Sequence, residues 1–104
     1  MKIDVLLSGD LTQMGSLSED LAGAGADGLF TYEGKSDVFF PLVRAGELTD
    51  CMLYTNVAIA IPRSPMHLAY QSWDLMRLSD GRFALGLGSQ IRPHIENRYG
   101  SVWD

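Results

Sequence analysis

The sequence is poor in cysteine, in long apolar runs and in basic residues. Its single cysteine, Cys51, cannot form a disulfide within the chain, so a reducing compartment, the cytoplasm, is the expected location. No apolar run approaches the roughly 18 residues of a membrane helix, and the apolar run near the N-terminus is shorter than a signal-peptide core. Eight Lys and Arg against 13 Asp and Glu give a net charge of -5, which disfavours a nucleic-acid partner.

The composition and the order of apolar segments predict one small α/β domain. Hydrophobic residues make up 46% of the 104 residues and charged residues 20%, as in a packed globular core. Strand patterns begin near residues 2, 28, 52 and 82 and alternate with helix patterns over about 12–24, 38–48 and 65–79. This spacing is close to the ~31 residues per βα unit of an eight-fold barrel. The order β-α-β-α-β-α-β predicts a parallel sheet.

Helix boundaries and buried faces follow from capping residues and periodicity. Asp37 is expected to cap the second helix, which can hold Pro41 only in its first turn. Pro65 opens the third helix. Its expected buried stripe consists of Met66, Ala69, Trp73 and Met76.

The stretch from residue 78 to residue 90 joins the third helix to the fourth strand. Asp80-Gly81 is the predicted turn that closes the helix, and residues 82–85 form the strand. Gly86 and Gly88 follow at its carboxyl end, where parallel α/β folds bind ligands. These glycines either make a tight turn or leave space for a ligand to approach the backbone.

Few other side chains carry chemistry. Glu33 lies in the loop after the second strand, as an active-site acid or cofactor contact would, with a solvated loop carboxylate as the alternative. Arg92 and His94 could bind an anionic group, or belong to a polar loop or helix end. His67, His94 and one cysteine have no metal-ligand spacing, so no metal site is expected.

Several blocks resemble the bacterial-luciferase-like flavin and deazaflavin monooxygenase superfamily. The most specific is residues 78–89, LSDGRFALGLGS, preceded by Arg63-Ser64-Pro65. The run from residue 88 to residue 95 is similar to a branch assigned to coenzyme F-420-dependent oxidoreductases, as are Tyr32-Glu33 and residues 37–42. The resemblance covers nearly the whole chain in order.

The resemblance implies a (β/α) barrel with a cofactor ring at the carboxyl ends of the strands. Residues 1–104 would then be a single incomplete domain, the N-terminal half of the barrel with about four strands. The third strand would carry a non-proline cis peptide at Asn56-Val57, and Glu33 would be the catalytic residue near the ring. The implied cofactor-binding residues are Asn56, Val57, Ala58, Gly86, Gly88, Ser89 and Gln90. Arg92 and His94 would contact the substrate or an anion.

The implied function is an oxidoreductase or monooxygenase that transfers hydride using coenzyme F-420, which is favoured, or FMN. Its small-molecule substrate would be one of a pair of donors, or carry a CH–OH or CH–NH group. Some deazaflavin-dependent members have a catalytic glutamate where this chain has Gln90 and Ile91. The 104-residue chain is expected to be inactive alone, or active only with the missing C-terminal half or a second copy. The full-length form is expected to be a homo-oligomer.

Two alternatives remain open from the sequence. The first is a monomeric, non-enzymatic α/β binding domain with an open, doubly wound sheet. The second is a half barrel that pairs with itself to form a closed, ligand-binding dimer. The first alternative would bind no flavin and would have a flat, open sheet.

Overall fold

The computed structural model of the protein describes residues 1–89. Gln90, Arg92 and His94 therefore lie outside the described residues. The strands are β1 (Asp4–Leu6), β2 (Gly28–Thr31), β3 (Met52–Thr55), β4 (Ala58–Ile59), β5 (Phe83–Ala84) and β6 (Leu87–Gly88). The helices are α1 (Met14–Gly23), α2 (Phe40–Leu48) and α3 (Pro65–Leu78), with a 3-10 turn at Leu11–Gln13. Within residues 1–89, no helix is both long and apolar enough to cross a membrane.

The main sheet has four parallel strands in the order β1-β2-β3-β5. These four strands pair in the order in which they occur in the chain, with β4 left out, so that Val5, Leu29, Leu53 and Phe83 lie side by side. This progressive order is that of a barrel segment, whereas a doubly wound sheet reverses its order. The α/β fold with a parallel sheet is confirmed, and the doubly wound topology is wrong.

The two faces of the sheet differ in what covers them. The helix-covered face includes Leu29 and Leu53, both with 0% exposure. The opposite face alternates with it along each strand. We call this second surface the helix-free face, and its residues are Asp4, Leu6, Phe30, Met52, Tyr54 and Ala84. Leu6 keeps 40% exposure and Met52 45%, so the hydrophobic core forms on one side of the sheet only.

Two helix termini follow the predicted signals. Asp37 accepts hydrogen bonds from the Phe39 and Phe40 amides at 2.7 and 2.9 Å, which caps α2. Asp80 and Gly81 have positive φ angles of 54° and 84° and close α3. At the end of α1, Gly25 takes the positive φ, 106°.

The predicted buried stripe of α3 is wrong. Met66, Trp73 and Met76 are 59%, 64% and 40% exposed, whereas Leu68 and Leu75 are buried. Apolar side chains occur on both sides of this helix, so periodicity alone does not select the packed side. The side that packs against α2 and β5 is that of Leu68 and Leu75.

The chain forms additional short strands at the carboxyl edge of the sheet. The predicted third strand is interrupted and becomes β3 and β4. The predicted fourth strand, residues 82–85, contains β5, and β6 follows it as a separate strand. Strands β4 and β6 form a second parallel sheet in which Ala58 pairs with Leu87 and Ile59 with Gly88. The Ala58 amide donates to the Gly86 carbonyl at 2.8 Å. Periodicity did not predict this small sheet, which forms part of the candidate site.

Candidate functional site

Two cavities lie beside each other at the carboxyl edge of the sheet, where parallel α/β folds bind ligands. The larger has a volume of about 780 Å³ and lies between the loops that follow β1 and β2. The smaller has a volume of about 200 Å³ and lies where β3 passes into β4. It is lined by Tyr32, Glu33, Asn56, Val57 and Ile59.

The small cavity contains the cis peptide bond implied by the sequence resemblance. The Asn56-Val57 bond is cis, and both residues line the cavity. The Asn56 amide donates to the Thr31 carbonyl at 2.6 Å, which ties this turn to the end of β2. Ala58 is buried and belongs to the small sheet.

Gly86 and Gly88 are required by the close approach of neighbouring strands. A Cβ atom on Gly86 would overlap the carbonyl oxygen of Thr55, and one on Gly88 would overlap the Val57 side chain. The Thr55 hydroxyl also donates to the Gly86 carbonyl at 2.8 Å and accepts from the Gly86 amide at 2.9 Å. Neither glycine, nor exposed Ser89, lines either of the two cavities. Their role as cofactor contacts stays a prediction.

Glu33 forms a two-point ion pair with Arg63. Its two carboxylate oxygens accept from the guanidinium at 2.5 and 2.8 Å. The same carboxylate accepts from the Ile59 amide at 2.8 Å, and Arg63 donates to the Ile59 carbonyl at 2.9 Å. The guanidinium lies 5.3 Å from the centre of the Phe39 ring.

Burial of this pair distinguishes it from a surface ion pair. The side chains of Glu33 and Arg63 are only 12% and 15% exposed, so Glu33 is not a solvated loop carboxylate. The two residues are 30 positions apart, and no local sequence signal links them. Together they fix the backbone of Ile59 and with it one wall of the small cavity.

Two carboxylates beside the larger cavity accept hydrogen bonds from backbone amides where helical segments begin. Asp10 accepts from the amide and hydroxyl of Thr12 at 2.9 and 2.8 Å. These hydrogen bonds with Thr12 lower the pKa of Asp10 below its ordinary value. Asp37 is the cap of α2 and lines the same cavity.

A polar pair that sequence reasoning missed lies on the helix-free face. The Tyr54 hydroxyl donates to a carboxylate oxygen of Asp4 at 2.8 Å, and the Tyr54 ring stacks on Phe30 with 5.3 Å between centroids. The pKa of Tyr54 is raised, first by burial and then by the hydrogen bond and negative charge of Asp4. Asp4 begins β1 and Tyr54 lies 50 residues later, so the pairing depends on strand register.

The small cavity is large enough to hold one edge of a flat ring but not a complete cofactor. Its volume of about 200 Å³ is below the ~300–1,000 Å³ of ligand pockets. None of its lining residues is a lysine or an arginine that could hold a phosphate. Across residues 1–89 there is also no group of three or more His, Cys, Asp or Glu placed to hold a metal ion.

Comparison with known proteins places these features in a family. The family model described as luciferase-like monooxygenase matches residues 5–104. The uncharacterized proteins Rv1360 of Mycobacterium tuberculosis and Mb1395 of Mycobacterium bovis are each 42% identical over 104 residues. Each match covers 99% of this chain and 31% of the relative. The chain therefore spans about a third of the length of these curated relatives.

Solved structures show the same fold at low sequence identity. Monooxygenase RslO1 from Streptomyces bottropensis has a TM-score of 0.82 and 22% identity, covering 100% of this chain and 38% of that one. The oxygenating constituent of 3,6-diketocamphane monooxygenase from Pseudomonas putida, a type II Baeyer-Villiger monooxygenase solved with FMN, has a TM-score of 0.78 and 15% identity. That match covers 96% of this chain and 32% of that one. Because the family model covers nearly the entire sequence, the chain belongs to the luciferase-like monooxygenase family.

Proposed function

We propose that the chain forms part of the ring-binding site of a luciferase-like oxidoreductase that uses coenzyme F-420 or FMN. The observation that carries this proposal is the small cavity built around Asn56-Val57 at the carboxyl edge of the sheet. The resemblance of residues 88–95 favours the deazaflavin, while the FMN of the structurally similar Pseudomonas putida protein favours a flavin. When bound, such a cofactor supplies hydride transfer at the central carbon of the deazaflavin or at the flavin nitrogen.

In this proposal the chain's own residues shape and rigidify one side of the ring site. The Glu33–Arg63 pair fixes the carbonyl and amide of Ile59, and Val57 presents an apolar surface to the cavity. Both carboxylate oxygens of Glu33 already accept hydrogen bonds. We therefore assign Glu33 a positioning role, in place of the catalytic acid that the sequence resemblance implied.

Titration with FMN and with coenzyme F-420 tests the proposal. Each cofactor's absorbance and fluorescence would be followed as the chain is added. Asn56→Trp would fill the small cavity and should weaken binding about tenfold or more, equivalent to ~1.4 kcal/mol. Glu47→Trp on the exposed surface of α2 is the matched control and should leave affinity unchanged. No binding of either cofactor, or equal effects of the two variants, would refute the ring site.

Partners and activity are further parts of the proposal. The exposed apolar residues of the helix-free face favour closure of the barrel by additional βα units or by a second copy. We propose that the 104-residue chain alone is inactive, that its longer form is a homo-oligomer, and that it acts in the cytoplasm. Substrate turnover by the chain alone, at normal cofactor affinity, would contradict this.

A second candidate is a self-assembling, non-enzymatic binding domain. It is favoured by the same helix-free face, on which Leu6 and Met52 are 40% and 45% exposed. Light scattering coupled to size-exclusion chromatography distinguishes the two. A stable dimer that binds neither FMN nor coenzyme F-420 would support the second candidate.

A further inference from the structure

One carboxylate lies on the otherwise uncharged helix-free face. Asp4 is the only residue with a charged side chain among those that define this face. Its carboxylate accepts from the Tyr54 hydroxyl at 2.8 Å, whereas a carboxylate can accept about four hydrogen bonds. Within residues 1–89 no lysine or arginine forms an ion pair with it. Asp4 is therefore held in place without a neutralising partner in this part of the chain.

The sheet itself fixes where this carboxylate lies. Asp4 pairs with Gly28 in the register of β1 and β2, and a Cβ atom at residue 28 would overlap a carboxylate oxygen of Asp4. The carboxylate thus lies across β2, where Tyr54 from β3 reaches it. Three neighbouring strands position this one acceptor group, which makes it a fixed feature of the face.

An aromatic surface lies beside the carboxylate. The rings of Phe30 and Tyr54 stack with 5.3 Å between centroids and 20° between their planes, and both residues are only half-buried. Ala84 pairs with Tyr54 in the register of β3 and β5 and is exposed, so its single methyl group covers little of the neighbouring surface. A guanidinium suits this arrangement, because it can pair with a carboxylate and stack on an aromatic ring.

A covering segment without a cation would fit this face poorly. The exposed apolar side chains of Leu6 and Met52 favour coverage of the face. Coverage would also remove the Asp4 carboxylate from water, and burial of an unpaired charge is strongly unfavourable. A basic side chain on the covering segment, directed towards Asp4, resolves this conflict.

A second copy of this chain does not supply such a side chain. Its helix-free face also presents Asp4 and no lysine or arginine, so two copies placed face to face would bring like charges together. The relatives Rv1360 and Mb1395, by contrast, have most of their length outside the match to this chain. A different polypeptide segment therefore suits the face better than a second copy does.

We propose that the helix-free face binds a polypeptide segment with an inward-facing arginine, whose guanidinium pairs with Asp4 and stacks on the Phe30 and Tyr54 rings. This inference rests on the proposed function for the closure of the barrel by further chain. The recognition step depends only on Asp4 and the two rings.

Two blocked pentapeptides, VTRTV and VTQTV, test the inference. Alternation along a strand places the central Arg or Gln on the same side as the two valines. At low salt VTRTV should bind the wild-type chain about fivefold more tightly than VTQTV and should shift the amides of Asp4, Gly28 and Tyr54. Raising NaCl from about 50 to about 500 mM should remove most of this preference, since salt screens a partly exposed pair.

Asp4→Asn keeps the size of the side chain and should abolish the preference for VTRTV. Asp20→Asn on the exposed surface of α1 is the matched control and should retain it. Three results would each overturn the inference: equal affinities of the two peptides for the wild-type chain, a preference that survives Asp4→Asn, or a wild-type dimer that Leu6→Asp dissociates.

The outcome is separable from cofactor binding. If FMN shifts the Val57 amide while the two peptides bind equally, the inference fails and the ring site stands. If VTRTV is preferred but neither FMN nor coenzyme F-420 binds, the ring site fails and the arginine-binding face stands.

Discussion

The helix-covered and helix-free faces of one sheet have opposite characters. On the covered face Leu29 and Leu53 are completely buried. On the helix-free face Leu6 is 40% exposed and a carboxylate, Asp4, bonds to Tyr54. The covered face accounts for folding, because burial of apolar area is the main stabilising contribution. The helix-free face and the carboxyl edge are the surfaces left for ligands and partners.

Truncating one leucine on each face should give the largest difference in the free energy of unfolding between the two faces. Leu53→Ala should lower the free energy of unfolding by about 2–5 kcal/mol, since it leaves a cavity in the core. Leu6→Ala on the helix-free face should cost less than about 1 kcal/mol, because that side chain is already partly solvated. Urea denaturation measures both. Equal losses would mean that the helix-free face is covered in solution.

Gly86→Ala tests the carboxyl edge, where the main sheet meets the small one. The added Cβ atom would overlap the Thr55 carbonyl oxygen. We therefore expect the free energy of unfolding, measured by urea denaturation, to fall by about 1–3 kcal/mol. Gly23→Ala near the end of α1 is the control, because no atom lies within 4 Å of its Cβ position. That variant should be stabilised by about 0.4–1 kcal/mol. If Gly86→Ala left the free energy of unfolding unchanged, Gly86 would not be required for the packing of these strands.

Glu33→Gln should lower the free energy of unfolding by a smaller amount, about 1–2 kcal/mol. It removes the charge opposite Arg63, but the amide oxygen can still accept a hydrogen bond from the guanidinium, which limits the loss. Glu47→Gln on exposed α2 is the control and should change stability by less than about 0.5 kcal/mol. The two variants would be compared by thermal unfolding. Equal unfolding temperatures for Glu33→Gln and Glu47→Gln would mean that the ion pair with Arg63 does not stabilise the fold.

The smallest expected effect concerns the pH dependence of Tyr54. Its pKa is raised above the ordinary 10.0, so the folded state favours the neutral phenol. The resulting stability is fully present below the unfolded-state pKa and is lost as pH rises through the folded-state value.

Asp4→Asn should lower the ionisation midpoint of Tyr54 towards its ordinary value, as measured by phenolate absorbance. Tyr54→Phe identifies the contribution of this residue to the titration curve. Asp20→Asn on the exposed surface of α1 is the control. An unchanged midpoint in Asp4→Asn would show that burial alone raises the pKa.

Local patterns predicted the parts of the fold that depend on neighbouring residues. The strand starts, the Asp37 cap and the Asp80-Gly81 turn all follow from short sequence signals. The packed side of α3 did not, because two of its sides are apolar and tertiary contacts select Leu68 and Leu75. The cis bond at Asn56-Val57 was predictable only through resemblance, whereas the place of Glu33 after the second strand followed from the strand pattern. Its Glu33–Arg63 pair joins residues far apart in the chain, and periodicity carries no information on such contacts.

The central claim is that the carboxyl edge, and not the helix-free face, receives the cofactor ring. Mapping amide chemical shifts during an FMN titration tests it most directly. We expect the largest shifts at Tyr32, Asn56 and Val57, which line the small cavity. Shifts concentrated at Leu6 and Tyr54 on the helix-free face, or no shifts at all, would contradict the claim.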